Sequence, residues 1–243
     1  MPWWSNLALL EKIDTPDLRL WYAERARLHA WSRNVLVIQI ETGLHKRQGK
    51  AVTNFDATLP APQSDLANQL LKDPYMFGFL GLEDEAQERD TENALVRHLR
   101  DFLLELGVGF AFMGNQYKLE VGGDEFFIDM LFYHHRLRCF VVIELKATAF
   151  KPEYAGKLNF YCRAVDELLR HPDDKPSIGL ILCKTKNQLV VEYALKDTVR
   201  PVGVAEYRLT EALPENLRGS LPTVEELEAT LEGADQPEGP EHG

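Results

Sequence analysis

The stretch Cys139-Phe-Val-Val-Ile-Glu144-Leu145-Lys146-Ala147 constrains this chain more than any other feature. An apolar run ends abruptly in two opposite charges separated by one leucine. A short continuous apolar run of this kind reads as a buried strand. Residues i and i+2 of a strand share a face, so Glu144 and Lys146 project together at its carboxyl end while Leu145 packs behind. The preceding strand, Phe126-Phe127-Ile128-Asp129-Met130-Leu131, holds a lone acid among apolar residues. Burying Asp129 unpaired costs several kcal/mol, so it needs a cation. Antiparallel pairing through the turn His134-His135-Arg136 brings it beside Glu144. Two carboxylates at that spacing repel unless something positive lies between them. The bland alternative is a surface Glu-x-Lys pair with Asp129 satisfied by Arg136 or Arg138.

The chain around this pair alternates between helix and strand patterns. Thr15-Pro16 reads as a helix start and Ser32 as a second cap, the second helix closing in His45-Lys46-Arg47. Two helices joined at 29–32 are compatible with a helix-turn-helix, although most such pairs are plain packing units. All four tryptophans fall in residues 1–31 and are expected in a small helical core. Residues 51–75 read as a linker with one helical turn. A helix capped by Asp90 or Thr91 follows, with Leu95, Leu99, Phe102, Leu103 and Leu106 as its apolar face and Gly107 as its stop. Strands are expected over 110–121, 125–133 and 137–147, then a helix over 153–170, a buried strand over 177–183, a short helix over 187–195 and a last strand over 203–209. This order predicts an α/β fold with a mixed sheet flanked by helices.

The charge distribution decides how nucleic acid is to be viewed. The net charge of −11 argues against it, but Glu211–Gly243 holds nine acids against Arg218 alone, so most of the acidity is in the tail. The first fifty residues carry eight Lys/Arg and five Asp/Glu. No apolar run approaches the roughly 20 residues needed to span a bilayer, so no membrane role is expected. The start Met1-Pro2-Trp3-Trp4 has no signal-like pattern. Cys139, Cys162 and Cys183 stand apart with no Cys-x-x-Cys pair, which predicts buried thiols and a cytoplasmic location.

Asp129, then fourteen residues, then Glu144-Leu145-Lys146, with a glutamate-bearing helix upstream, resembles the PD-(D/E)XK nuclease superfamily. More closely, stretches such as FKPEYAGKLNFY, HPDDKPSIGLILCKTKN, LPAPQSDLANQLLKDPY and LHAWSRNVLVIQI resemble its YhcG family, over roughly residues 3–210. The resemblance implies a restriction-endonuclease-like core with an N-terminal helical, winged-helix-like module, and DNA as the partner. It implies Asp129 and Glu144 as ligands of Mg²⁺ or Mn²⁺, Lys146 as the catalytic lysine and Glu92 as a further acid. Without the resemblance, Glu92 is a first-turn glutamate favoured by the helix dipole. The letters Pro172-Asp173-Asp174 spell the motif but sit in a turn, and are read as a loop. Because the resemblance begins almost at Met1, part of the helical module is expected to be missing or supplied by a partner.

The organisation expected is therefore a helical module and linker over 1–75, a nuclease domain over 76–212 and an acidic, partly disordered tail over 213–243. Lys157, one turn before Tyr161 on the helix after the catalytic strand, is a candidate phosphate contact. Lys184 and Lys186, at the carboxyl end of the buried strand, are two more. Gln116 and Tyr117 are candidates to face the site, and His134 and His135 are expected to take no metal role. The function expected is metal-dependent DNA endonuclease, in repair, recombination or defence against foreign DNA, with a second copy of the chain carried as a candidate partner. Two rivals remain open: a catalytically silent DNA-binding or assembly protein that keeps the fold, and a helix-turn-helix regulator whose C-terminal domain only dimerises.

Overall fold

The computed structural model describes residues 3–83 and 85–209; the acidic tail expected over 213–243 lies outside them. The chain opens with α1 (Trp3–Lys12), α2 (Pro16–Leu28), α3 (Arg33–Glu41) and α4 (Leu44–Arg47). Thr15 precedes α2 with Pro16 at its first position, and the Ser32 hydroxyl accepts from the Val35 amide. Leu9, Ile13, Tyr22, Ala26, Leu36 and Leu44 form a small core of their own. The tryptophans divide: Trp21 and Trp31 pack against that core, whereas Trp3 and Trp4 are exposed. Both exposed rings fall in the first two positions of α1, ahead of the buried Ala8 and Leu9 that seat it.

Residues 51–75, expected to be a linker, are folded into the sheet. They give β1 (Val52–Thr53), α5 (Phe55–Thr58), α6 (Gln63–Leu70) and the start of β2 (Tyr75–Met76). Phe55, Leu59, Ala67, Leu71 and Tyr75 are buried in the main core, an apolar spacing diluted by prolines and asparagines. The Asn54 side chain accepts from the Val202 amide at 2.8 Å and donates to the carbonyls of Thr198 and Arg200. A polar residue that reads as loop chemistry thus fastens this segment to the last strand.

After a 3₁₀ turn at Gly78–Leu80 come α7 (Glu88–Arg97) and α8 (Leu99–Leu106), where one continuous helix was expected. The chain leaves helical geometry at His98, and Ala94, Leu95, Phe102 and Leu106 still reach the same core. The helix also starts earlier than expected. Gln87 is its cap residue, and the Thr91 hydroxyl donates back to the Gln87 carbonyl instead of capping. That extra turn carries Glu88 into the helix.

The meander β3 (Phe110–Val121), β4 (Asp124–His134) and β5 (Cys139–Ala149) forms as expected, followed by α9 (Pro152–Leu168), β6 (Ile178–Thr185), α10 (Gln188–Lys196) and β7 (Val202–Arg208). The sheet order is β1-β7-β6-β5-β4-β3, with β2 also on β7. Strands β5, β6 and β7 run parallel, and β3, β4 and β5 antiparallel. Odd-numbered apolar residues of β5 (Val141, Ile143, Leu145) face the core beneath α7 and α8. Phe140 and Val142 face the core beneath α9 and α10. This is a mixed sheet covered by helices on both faces. All three cysteines are buried and unpaired.

Candidate active site

The site forms at the carboxyl end of β5, between the first turn of α7 and the amino half of α9. Met130 pairs with Ile143 across β4 and β5, so Asp129 and Glu144 occupy the next step outward. The alternation of β4 slips there. Phe126 and Ile128 pack on the face that Leu131 and Tyr133 also join, while Met130 and Phe132 pack on the other. Asp129 stands at the slip, and its Oδ2 accepts from the Leu145 amide at 2.8 Å. Across β3, Gln116, at φ 44°, lies between the Asn115–Met130 and Tyr117–Ile128 pairs; the register shift between Phe112 and Gly114 comes earlier in the strand. Gln116 donates from Nε2 to Glu92 Oε2 at 2.8 Å.

Lysines hold the acids together. Lys146 Nζ lies 2.7 Å from Glu88, 3.5 Å from Glu144 and 3.7 Å from Asp129, with the Tyr154 ring 5.7 Å away. Lys157 Nζ donates to Glu144 Oε2 at 2.8 Å and sits over the Tyr161 ring. Glu144 is 1 % exposed, Lys146 and Asp129 8 % each, and Glu92 6 %. Burial raises the Glu144 pKa, and the negative charge of Asp129 raises it further. Burial likewise raises Asp129, against the pull of Lys146 and the Leu145 amide. Glu92 is raised by burial, with Asp129 adding to the effect. Burial works against charging Lys146, but Glu88 and the two acids outweigh it and hold the pKa above lysine's ordinary value. Lys157, also opposed by burial, is pushed up to about 12 by Glu144.

Two carboxylate oxygens, Glu144 Oε1 and Glu92 Oε1, are buried without a hydrogen-bond partner. Buried acceptors are almost always satisfied, so an orphan at a carboxylate signals a missing cation or donor. Among the described residues, no three His, Cys, Asp or Glu side chains converge as a metal cluster. Mg²⁺ does not require one, since it takes one or two carboxylates and completes its shell with water and phosphate oxygens. The donor set, all hard carboxylate oxygen, suits that ion or Mn²⁺.

The structure thus brings together Asp129, Glu144, Lys146, Glu92 and Lys157, with Gln116 supporting Glu92. Asp129 is faced by Lys146 and not by Arg138, which lies 3.8 Å from Asp174. Lys184 lies over the Tyr207 ring, 5.0 Å away, and Tyr207 in turn feels the charge of Glu88. Lys186 is not presented to the acids: its ammonium is buried in an ion pair with Asp73. Tyr117 packs in the core beneath α9. His134 is buried, and burial lowers its pKa to about 4. Asp174 accepts from Tyr133 in a loop, as the turn reading of Pro172-Asp173-Asp174 requires. Sequence reasoning missed Glu88 and Tyr154. Glu88 was hidden by placing the helix start three residues late; Tyr154 was legible only as an aromatic near the start of α9.

Comparison with known proteins defines the class. Residues 68–222, more than half of the chain, match the family model described as the YhcG PDDEXK nuclease domain. That match spans Asp129, Glu144 and Lys146, so the site lies within a nuclease domain of the PDDEXK type. Over 220 residues the chain is 36 % identical to "Putative nuclease YhcG" of Escherichia coli (strain K12), covering 88 % of this chain and 57 % of that protein. The chain belongs to the YhcG family, and spans little more than half the length of this curated relative. A crystal structure of a repair endonuclease from Pyrococcus abyssi overlaps 54 % of this chain and 50 % of its own, with a TM-score of 0.36 and 16 % identity, too slight for inference.

Proposed function

We propose that the chain is a DNA endonuclease that hydrolyses phosphodiester bonds with Mg²⁺ or Mn²⁺, serving repair, recombination or defence against foreign DNA. The observation that carries this reading is the orphaned oxygen of Glu144, beside a buried lysine already held by three acids, together with a second orphaned oxygen on Glu92. Asp129 and Glu144 are the residues to hold the ion, with Glu92 beside them. When bound, such an ion supplies Lewis-acid polarisation of the phosphate and a more acidic water. Lys146, fixed between Asp129, Glu144 and Glu88, orients the attacking water and offsets charge developing on the phosphate oxygens. Glu88, partly exposed, is free to turn away as phosphate arrives. Glu92, held by Gln116, orients a water. Lys157 and Lys184 contact the flanking phosphates; Lys186 reaches one only by leaving Asp73. Among the described residues no helix is long and apolar enough to cross a membrane.

The test is cleavage of linear and branched DNAs by purified protein with Mg²⁺, Mn²⁺ or EDTA, alongside Glu144→Gln. Cleavage with either ion, absent in EDTA and in the variant, is expected. A wild-type protein that binds these DNAs yet cuts none with either ion establishes the catalytically silent rival.

A further inference from the structure

A second site lies away from the acids. A cavity of about 470 Å³ opens between α2, α3, α6, α8 and the start of β3, within the range of small-ligand pockets. Its charge is one-sided. Arg25, Lys72, Arg100 and Arg136 line it, and among the described residues no carboxylate does. Lys72 is engaged by Glu105, and Arg100 lies 3.7 Å from Asp101. Arg25 and Arg136 have no ion-pair partner among the described residues, although Arg25 covers the Trp21 ring. Such a wall selects an anion.

The other walls narrow the class. His29 and Trp31 stack with centroids 5.6 Å apart and planes 28° apart, both lining the cavity. Arg25, Arg136 and Lys72, after burial itself, lower the His29 pKa, which keeps the ring uncharged. Three buried polar atoms without partners belong to lining residues: His29 Nδ1, Gln39 Oε1 and Gln48 Oε1. Gln39 is 3 % exposed, so water does not readily satisfy it. Leaving a buried polar atom unpaired is costly, and three at one cavity define a polar edge to be matched. Gln48 Nε2 already donates to the Gln69 carbonyl, so Gln48 offers an acceptor, whereas the Gln39 amide can turn to offer donor or acceptor. The need is for a flat ring with a hydrogen-bonding edge, joined to an anion.

We propose that this cavity binds one nucleotide unit, its base against the His29–Trp31 stack and the Gln39 and Gln48 amides, its phosphate on Arg25 and Arg136. Aromatic stacking with a cationic neighbour is the general means of holding an unpaired base. Phe110 at the rim and Gln116 at the acid site lie on the same strand. Six residues at about 3.3 Å each place them roughly 20 Å apart. A strand of DNA threaded to the acids thus comes within reach of this cavity by an unpaired nucleotide. A free nucleotide satisfies the same chemistry.

The test uses the full chain in EDTA, so that no cleavage intervenes. Binding is measured for each deoxynucleoside monophosphate, inorganic phosphate and a labelled single-stranded oligonucleotide. One site per chain is expected, with phosphate alone far weaker than a nucleotide. Binding by monophosphates identifies a free-nucleotide site, and binding by the oligonucleotide alone identifies an unpaired base of DNA. Arg136→Ala and Arg25→Ala should each weaken binding at least about tenfold, the loss of a charge-assisted hydrogen bond. Gln39→Glu, which puts a carboxylate in the cavity, should weaken it further. Arg136 is exposed, so its variant keeps the fold, as circular dichroism will verify, and carries the test if another variant misfolds. These binding outcomes do not depend on the nuclease reading. Wild type binding neither nucleotide nor oligonucleotide, or folded variants binding both as wild type does, overturns the proposal.

Discussion

Lys146→Met separates chemistry from packing, because it keeps an unbranched apolar stem and removes the charge. That charge faces Glu88, Glu144 and Asp129 within 4 Å. Removing one partner of a buried ion pair costs roughly 3–5 kcal/mol. Here the loss is discounted. The Glu88 side chain is 42 % exposed and can turn to water, and Lys157 still neutralises Glu144. A loss of about 3 kcal/mol in EDTA is expected, or roughly 6–12 °C in Tm for a chain of this size. The deficit should shrink as pH falls, since Asp129 and Glu144 already have raised pKa values and protonation removes their repulsion. Added Mn²⁺ or Mg²⁺ should restore more stability to the variant than it adds to wild type, because a cation at the acids replaces the missing ammonium. Single-turnover cleavage should fall by a factor on the order of 10² or more even at saturating ion. Thermal melts and single-turnover kinetics on one preparation give both numbers. A variant that melts early yet cuts DNA within a few-fold of wild type would show that Lys146 is a structural ion pair and that the chemistry lies elsewhere.

Further outcomes follow from the same geometry. Asp129→Asn keeps an acceptor for the Leu145 amide and Asp129→Ala does not, so both should abolish cleavage while only the alanine variant loses about 1–3 kcal/mol in a denaturant melt. In EDTA, the raised carboxylate pKa of Glu144 penalises the folded state above that pKa, and the penalty is relieved as pH falls through it toward the ordinary value of 4.5. Glu144→Gln should therefore show a smaller gain in Tm on acidification than wild type, and equal pH profiles would contradict the raised pKa. Gly109→Ala places a Cβ 2.5 Å from the His134 ring at a backbone φ of 115°, so a loss above about 2 kcal/mol is expected by chemical denaturation.

The meander, the buried β6 and the shared face of Glu144 and Lys146 are fixed locally, by the alternation of apolar side chains and the turn at Gly122-Gly123, and so are legible in the sequence. Asp129 was legible too, as an acid with nothing local to satisfy it. What the sequence left open depends on partners distant along the chain. Residues 51–75 look like a linker because their prolines and asparagines give no helix or strand period, yet Asn54 finds Val202 and Phe55 finds the core only when the sheet forms. Lys184 and Lys186 are alike in sequence. Only the tertiary structure closes Lys186 on Asp73 and sets Lys184 over Tyr207. Glu88 enters the site because Thr91 bonds back into the helix, a choice between two local hydrogen bonds that packing decides. The sequence determines which residues carry charge into an apolar strand. The three-dimensional arrangement decides which opposite charge meets each one, because an ion pair is set by distance in space and the chain specifies only distance along itself.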